Sequence, residues 1–284
     1  MQGAAEGGTP MQATPGGLSK QGNEADFPEK SLAQAKNLGN SSTMHKIEFL
    51  GPPLDTGPLP AVFYFSLSAH DSLHLDPYNQ PAIYLGSPAL RIFSISLPGH
   101  DTLPPTEALR FWANEIHHGR DVIHAFVQEV ASYIRHLIDQ NVALPKKISA
   151  MGLSRGAFIA SHVAALVPEI KHILGFAPLT RLANVQEFQD LDVDRWDLSH
   201  LAEKLYNRNV RCYIGNRDMR VGTEGCFEFI SKLANTAFEK KISSPPIELI
   251  IGPSCGHKGH GTSPEVFRQG AAWLEKKLLG DGNG

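Results

Sequence analysis

Hydrophobic residues along this chain come in two rhythms that take turns. Short dense runs predict β-strands at 46–50, 60–65, 83–85 and 90–95, then at 148–151, 172–176, 209–215 and 247–251. The run Pro60-Ala-Val-Phe-Tyr-Phe65 is the richest in aromatic and branched side chains, which suit a pleated, half-buried surface. Between the runs, apolar residues recur at steps of three and four. The clearest such stretch opens on Asp121 as N-cap and places Val122, Ile123, Phe126, Val127, Val130, Ile134, Leu137 and Ile138 on one helical face. Asn141 and Pro145 close it. Further helices are expected from Thr106, over 198–205, after Thr223 as a cap, and after Ser263-Pro264-Glu265. The Thr223 helix would turn Cys226, Phe227, Ile230, Leu233, Ala234 and Phe238 inward. The stretch 157–167 is apolar nearly all round, the mark of a helix pressed against a sheet and covered by neighbours, and Pro168 ends it.

Strands alternating with helices predict an α/β protein whose mostly parallel sheet carries helices on both faces. No internal repeat divides the chain, and a single domain over 43–284 accounts for these elements. Residues 1–42 are rich in Gly, Ala, Gln, Pro, Ser and Thr and hold no sustained apolar period. Such a segment buries too little surface to offset its ordering entropy, so a disordered tail is expected there.

Composition narrows the classes. With 284 residues, 42% hydrophobic and 19% charged, the chain can build a sizeable core. A net charge of −3 gives no electrostatic case for nucleic acid or an anionic membrane. No apolar run reaches the roughly 20 residues of a membrane helix, and no basic-then-apolar segment opens the chain, so no signal peptide is expected. Three cysteines without framework spacing point to a reducing cytoplasm.

One stretch organises the chemistry. The strand run Ile148, Ala150, Met151 enters Gly152-Leu153-Ser154-Arg155-Gly156, and the buried helix follows at once. A serine set on a tight turn between glycines can lift its hydroxyl clear of the backbone. This strand–Gly–Ser–Gly–helix segment resembles the nucleophile elbow of the α/β-hydrolase family, in its serine esterase and prolyl-oligopeptidase-like branch. The turn Pro98-Gly99-His100 after the strand at 90–95 is similar to one seen in many members, though Pro and Gly have an ordinary turn role as well.

The resemblance covers about five-sixths of the chain and implies an acid and then a histidine, each in a loop after a late strand. Asn216-Arg217-Asp218-Met219-Arg220-Val221 follows the strand at 209–215 and looks like the family's acid loop, which makes Asp218 the expected acid. Two histidines compete in Gly252–Thr262, His257 and His260. The tail Gly259-His260-Gly261-Thr262-Ser263-Pro264-Glu265 resembles the catalytic-histidine loop feeding the last helix and favours His260; His257 follows the strand at a spacing the family also uses. For the oxyanion hole the resemblance implies the Arg155 backbone N–H and a second amide from Leu67 or Ser68, where the family's common His-Gly pair is absent. The Arg155 side chain could face an acidic substrate, solvent or a carboxylate.

Metal sites are not expected. Cys255, His257 and His260 lack a fourth ligand for a closed zinc site, and His117, His118, His124 and His136 read as solvated or capping residues. The family resemblance implies no cofactor and a carboxylesterase-type serine hydrolase acting on a small or medium ester. Only about thirty residues separate the strands ending near 176 and starting near 209, too few for a large lid. A prolyl-oligopeptidase-like peptidase is the alternative enzyme, and a non-catalytic binding module the alternative class.

Overall fold

The computed structural model describes residues 45–280; the expected tail over 1–42 lies outside them. Strands β1 (Ile47–Leu50), β2 (Leu59–Phe65), β3 (Arg91–Ile95), β4 (Ala143–Leu153), β5 (Ile170–Phe176), β6 (Asn209–Gly215) and β7 (Ile247–Gly252) form one sheet in the order β1-β3-β2-β4-β5-β6-β7. Only β1 runs antiparallel. The helices are α1 (Ala69–His74), α2 (Gln80–Tyr84), α3 (Ala108–His117), α4 (Val122–Asp139), α5 (Arg155–Leu166), α6 (Ala202–Leu205), α7 (Thr223–Glu239) and α8 (Pro264–Leu279).

Alternation along β2 divides the core. Ala61, Phe63 and Phe65 point into the larger apolar layer, built with α3, α4, α5 and α7. Val62 and Tyr64 point into the smaller one, where Leu73 of α1, Ala82 of α2 and Phe267, Ala271 and Leu274 of α8 pack. Asp121 caps α4 as expected, its side chain accepting the His124 N–H at 2.9 Å. Ser263 accepts the Val266 N–H at the start of α8.

Several expectations are corrected. The strand expected at 83–85 is helix α2. Pro81 sits in its first turn, Ala82 and Leu85 are buried three residues apart, and Ile83 is 55% exposed. That is a helical step; a strand would bury alternate residues. Thr223 does not cap α7: Gly222 holds the cap position, with φ 84°, and Thr223 is the first helical residue. The buried face of α7 runs through Cys226, Phe229, Ile230, Leu233 and Ala237, leaving Phe227 and Phe238 exposed at 57% and 67%. Pro145 falls inside β4, at a place where the ladder to β2 skips from Leu59–Ala143 to Ala61–Ile148 and no partner needs its N–H. The helix expected over 198–205 is divided into a 3-10 turn, Leu198–Leu201, and α6.

The sheet grows outward from β2 and β4, in one direction toward β1 and in the other toward β7. Their carboxyl ends therefore flank the point where strand order reverses, the place where open α/β sheets present a crevice. The loops Ser66–Ser68 and Ser154 leave the sheet there.

Candidate active site

The elbow is built from what the backbone has no room for. A Cβ on Gly152 would stand 2.2 Å from the Ala157 nitrogen, and one on Gly156 would stand 1.8 Å from the Phe65 carbonyl oxygen. Strand β4, helix α5 and the end of β2 can approach this closely only through glycine. Ser154 itself sits at φ 55°, ψ −118°, a conformation non-glycine residues rarely take. It is held there by its N–H donating to the Phe176 carbonyl at 2.8 Å and by its carbonyl accepting from Ala157 at 3.0 Å.

Three loops converge on its hydroxyl. Ser154 Oγ lies 2.8 Å from His260 Nε2, and His260 Nδ1 lies 2.7 Å from Asp218 Oδ2. Because a carboxylate only accepts, Nδ1 carries the proton and Nε2 is free to accept from the serine. Oδ1 of Asp218 accepts the N–H groups of Arg220 at 2.9 Å and Val221 at 3.1 Å. Burial would raise the Asp218 pKa, but the His260 hydrogen bond and charge and these two amides outweigh it, holding the carboxyl below the usual carboxylate range. The acid loop is pinned in turn by Thr223, whose Oγ1 donates to the Gly215 carbonyl at 2.6 Å and accepts the Asp218 N–H at 3.0 Å. Nothing in the sequence pattern set Thr223 apart from a helix cap.

His257 does not join this chain of contacts. It stands exposed on the 3-10 turn His257–Gly259, at the edge of the same crevice.

Beside the serine opens a cavity of about 350 Å³. Leu67, Tyr78 and Phe267 give its lining apolar surface, and Ser154, Arg155 and His260 line it too. The Arg155 N–H is the first of α5 and has no carbonyl within the helix to bond. Leu67 borders the cavity, and its N–H donates to Ser72 Oγ at 3.0 Å. The Ser68 hydroxyl accepts the Asp71 N–H as the cap of α1.

The Arg155 side chain is turned out of open solvent and pairs with no carboxylate of the protein. It is 8% exposed and donates through Nη1 to the Pro105 carbonyl at 2.8 Å and to His100 Nε2 at 3.3 Å. Burial, then the Arg155 charge, pushes His100 down to about 4, so the ring is neutral. Burial and the nearby Arg220 bring Arg155 down to about 10.

Among the described residues, His, Cys, Asp and Glu side chains gather at metal-ligand spacing at Glu48, His70 and His74, on β1 and α1. Glu48 Oε2 is 3.4 Å from a nitrogen of each histidine, and both rings are exposed. Cys255 and His257 do not gather with His260, which faces Ser154 and Asp218.

Solved structures with this architecture are numerous. TT1662 from Thermus thermophilus superposes with a TM-score of 0.61 at 16% identity, covering 82% of this chain and 94% of that one. A cold-adapted esterase from an Arctic intertidal metagenomic library gives 0.59 at 19%, over 82% and 88%. The fold is that of the α/β-hydrolases. An S-formylglutathione hydrolase from Agrobacterium tumefaciens, another of this fold, gives 0.53 at 19%, over 84% and 93%. No family model and no curated protein matches the chain. No helix among the described residues of this α/β-hydrolase-fold chain is long and apolar enough to cross a membrane.

Proposed function

We propose that this protein is a serine hydrolase of carboxylesterase type, forming an acyl-enzyme on Ser154. The observation that carries the reading is the unbroken path from Ser154 Oγ through His260 to the buried Asp218 carboxylate. A serine hydroxyl is a weak nucleophile at neutral pH and needs a base within hydrogen-bond reach. His260 Nε2 takes the proton as Oγ attacks the ester carbonyl, then returns it to the leaving alcohol; in the second half it activates water against the acyl-enzyme. Asp218 holds the imidazole in the tautomer this requires and stabilises the imidazolium. The Arg155 and Leu67 amides receive the oxyanion, with the carbonyl oxygen replacing Ser72 Oγ as the acceptor of the Leu67 N–H.

The cavity volume suits a small or medium ester, and esterases among the neighbours of the same fold support the reaction class. Hydrolysis of p-nitrophenyl esters by the wild type, His257→Ala and His260→Ala tests the assignment of the base. Loss of roughly a thousandfold or more in kcat is expected for His260→Ala. Near-native turnover by that variant, with the loss appearing in His257→Ala instead, would overturn it.

A further inference from the structure

The cavity wall carries an excess of positive charge that the hydrolytic path does not use. Arg155 is more than nine-tenths buried, yet the groups that hold its Nη1 are neutral: a backbone carbonyl and the Nε2 of His100. Nδ1 of His100 faces the Pro98 carbonyl at 3.3 Å, which keeps the proton on Nδ1 and leaves Nε2 as an acceptor. A buried cation is normally paired with a carboxylate, because desolvation is otherwise uncompensated. Here the second charge at the site has the same sign. Arg220 lines the same cavity, and the lining includes no Asp or Glu among the described residues. Glu187 acts on Arg155 only at a distance, without an ion pair, and the Tyr78 phenol lines the same cavity.

Resting on the hydrolase reading, we propose that the cavity selects an ester that also bears a carboxylate, received by Arg155 and Arg220. The guanidinium of Arg155 spends one edge on the protein and keeps donors in hand. A planar carboxylate matches a pair of such donors and supplies the missing countercharge. Selectivity follows from the same imbalance. A neutral ester leaves both cations unpaired in a partly desolvated site, whereas an anionic one neutralises them.

The test is a ratio. Values of kcat/KM for mono-p-nitrophenyl succinate against p-nitrophenyl butyrate, and for p-acetoxybenzoate against its methyl ester, probe a carboxylate on the acyl and on the leaving side. At least one anionic ester is expected to be preferred tenfold or more. Arg220→Gln should lower that ratio at least fivefold, and Arg220→Lys should keep part of it. Equal or inverted preference in both pairs, or a ratio that Arg220→Gln leaves unmoved, overturns the proposal. If no ester is turned over, calorimetric titration of Ser154→Ala with monomethyl succinate separates the two readings. Saturable binding weakened at least fivefold by adding Arg220→Gln keeps the carboxylate site while the hydrolase reading falls. No saturable binding, or displacement by inorganic phosphate at lower concentration than by acetate, removes the carboxylate site.

Discussion

Thr223 Oγ1 accepts the backbone N–H of Asp218 at 3.0 Å while donating to the Gly215 carbonyl at 2.6 Å, so one hydroxyl ties the acid loop to the end of its own strand. Thr223 touches neither the serine nor the histidine and acts as a positioning residue. In Thr223→Val the shape is kept and both bonds are lost. We expect kcat to fall about tenfold with KM nearly unchanged, a split that steady-state kinetics reads directly. Thr223→Ser should restore most of the rate; failure to do so would mean that the methyl group, not the hydroxyl, matters.

The elbow glycines make a sharper case. Gly156→Ala places a methyl group against the Phe65 carbonyl, where 1.8 Å is available, so β2 and α5 must part. That displaces both the Arg155 amide and the loop carrying Leu67. A loss of roughly a hundredfold or more in kcat is expected, the cost of disturbing an oxyanion donor. Folding should be followed by circular dichroism, since a variant with native spectrum and native rate would contradict the packing described.

Three histidines, His100 buried and His162 and His172 half-buried, set the response to acid. Burial pushes His100, His162 and His172 down to about 4, from an ordinary 6.5. The unfolded chain therefore binds protons that the folded chain refuses between these values. The stability these groups contribute is full above about pH 6.5 and is lost as pH falls toward about 4. Asp218, with its depressed pKa, adds a loss that sets in as pH drops below its ordinary 3.8. Melting temperature should thus decline steadily from pH 6.5 to 4. His172 Nδ1 has no hydrogen-bond partner, so His172→Gln should flatten that decline; an unchanged slope would exclude His172 as a contributor.

Arg91 is a structural counterpart to Arg155. It is fully buried in β3, and its guanidinium donates to the carbonyls of Pro52, Pro53, Gly57 and Val142, clamping the turn after β1 to the start of β4. Arg91→Met fills the space but strands four acceptors. A destabilisation of about 3 kcal/mol in denaturant titration is expected; a change under 1 kcal/mol would mean that water replaces the guanidinium.

The parallel sheet was legible because its strands are dense apolar runs and its helices keep a three-and-four step. What misled was local. Ile83 and Leu85 flank a tyrosine in a pattern that suits a strand, yet Pro81 and the Ala82–Leu85 spacing fit one helical turn, and three residues are too few for periodicity to decide. On α7 the aromatic residues drew the face toward Phe227 and Phe238, while the sheet takes Phe229 one-half turn away. At the site, Ser154, Asp218 and His260 were visible through loop order, because each follows a strand end. The tail from Gly259 to Glu265 already favoured His260 over His257, although both lie in a glycine-rich loop three residues apart, and the fold brings His260 against Ser154 and Asp218. The roles of Thr223, Ser72 and His100 rest on contacts across the chain that no spacing records.

Covalent labelling tests the central claim most directly. Intact-mass analysis after treatment with a fluorophosphonate should show one adduct per chain, mapped by peptide sequencing to Ser154. The adduct should be absent from Ser154→Ala and strongly slowed in His260→Ala. A folded wild-type protein that takes up no label, or takes it up on another residue with Ser154 intact, would contradict the account.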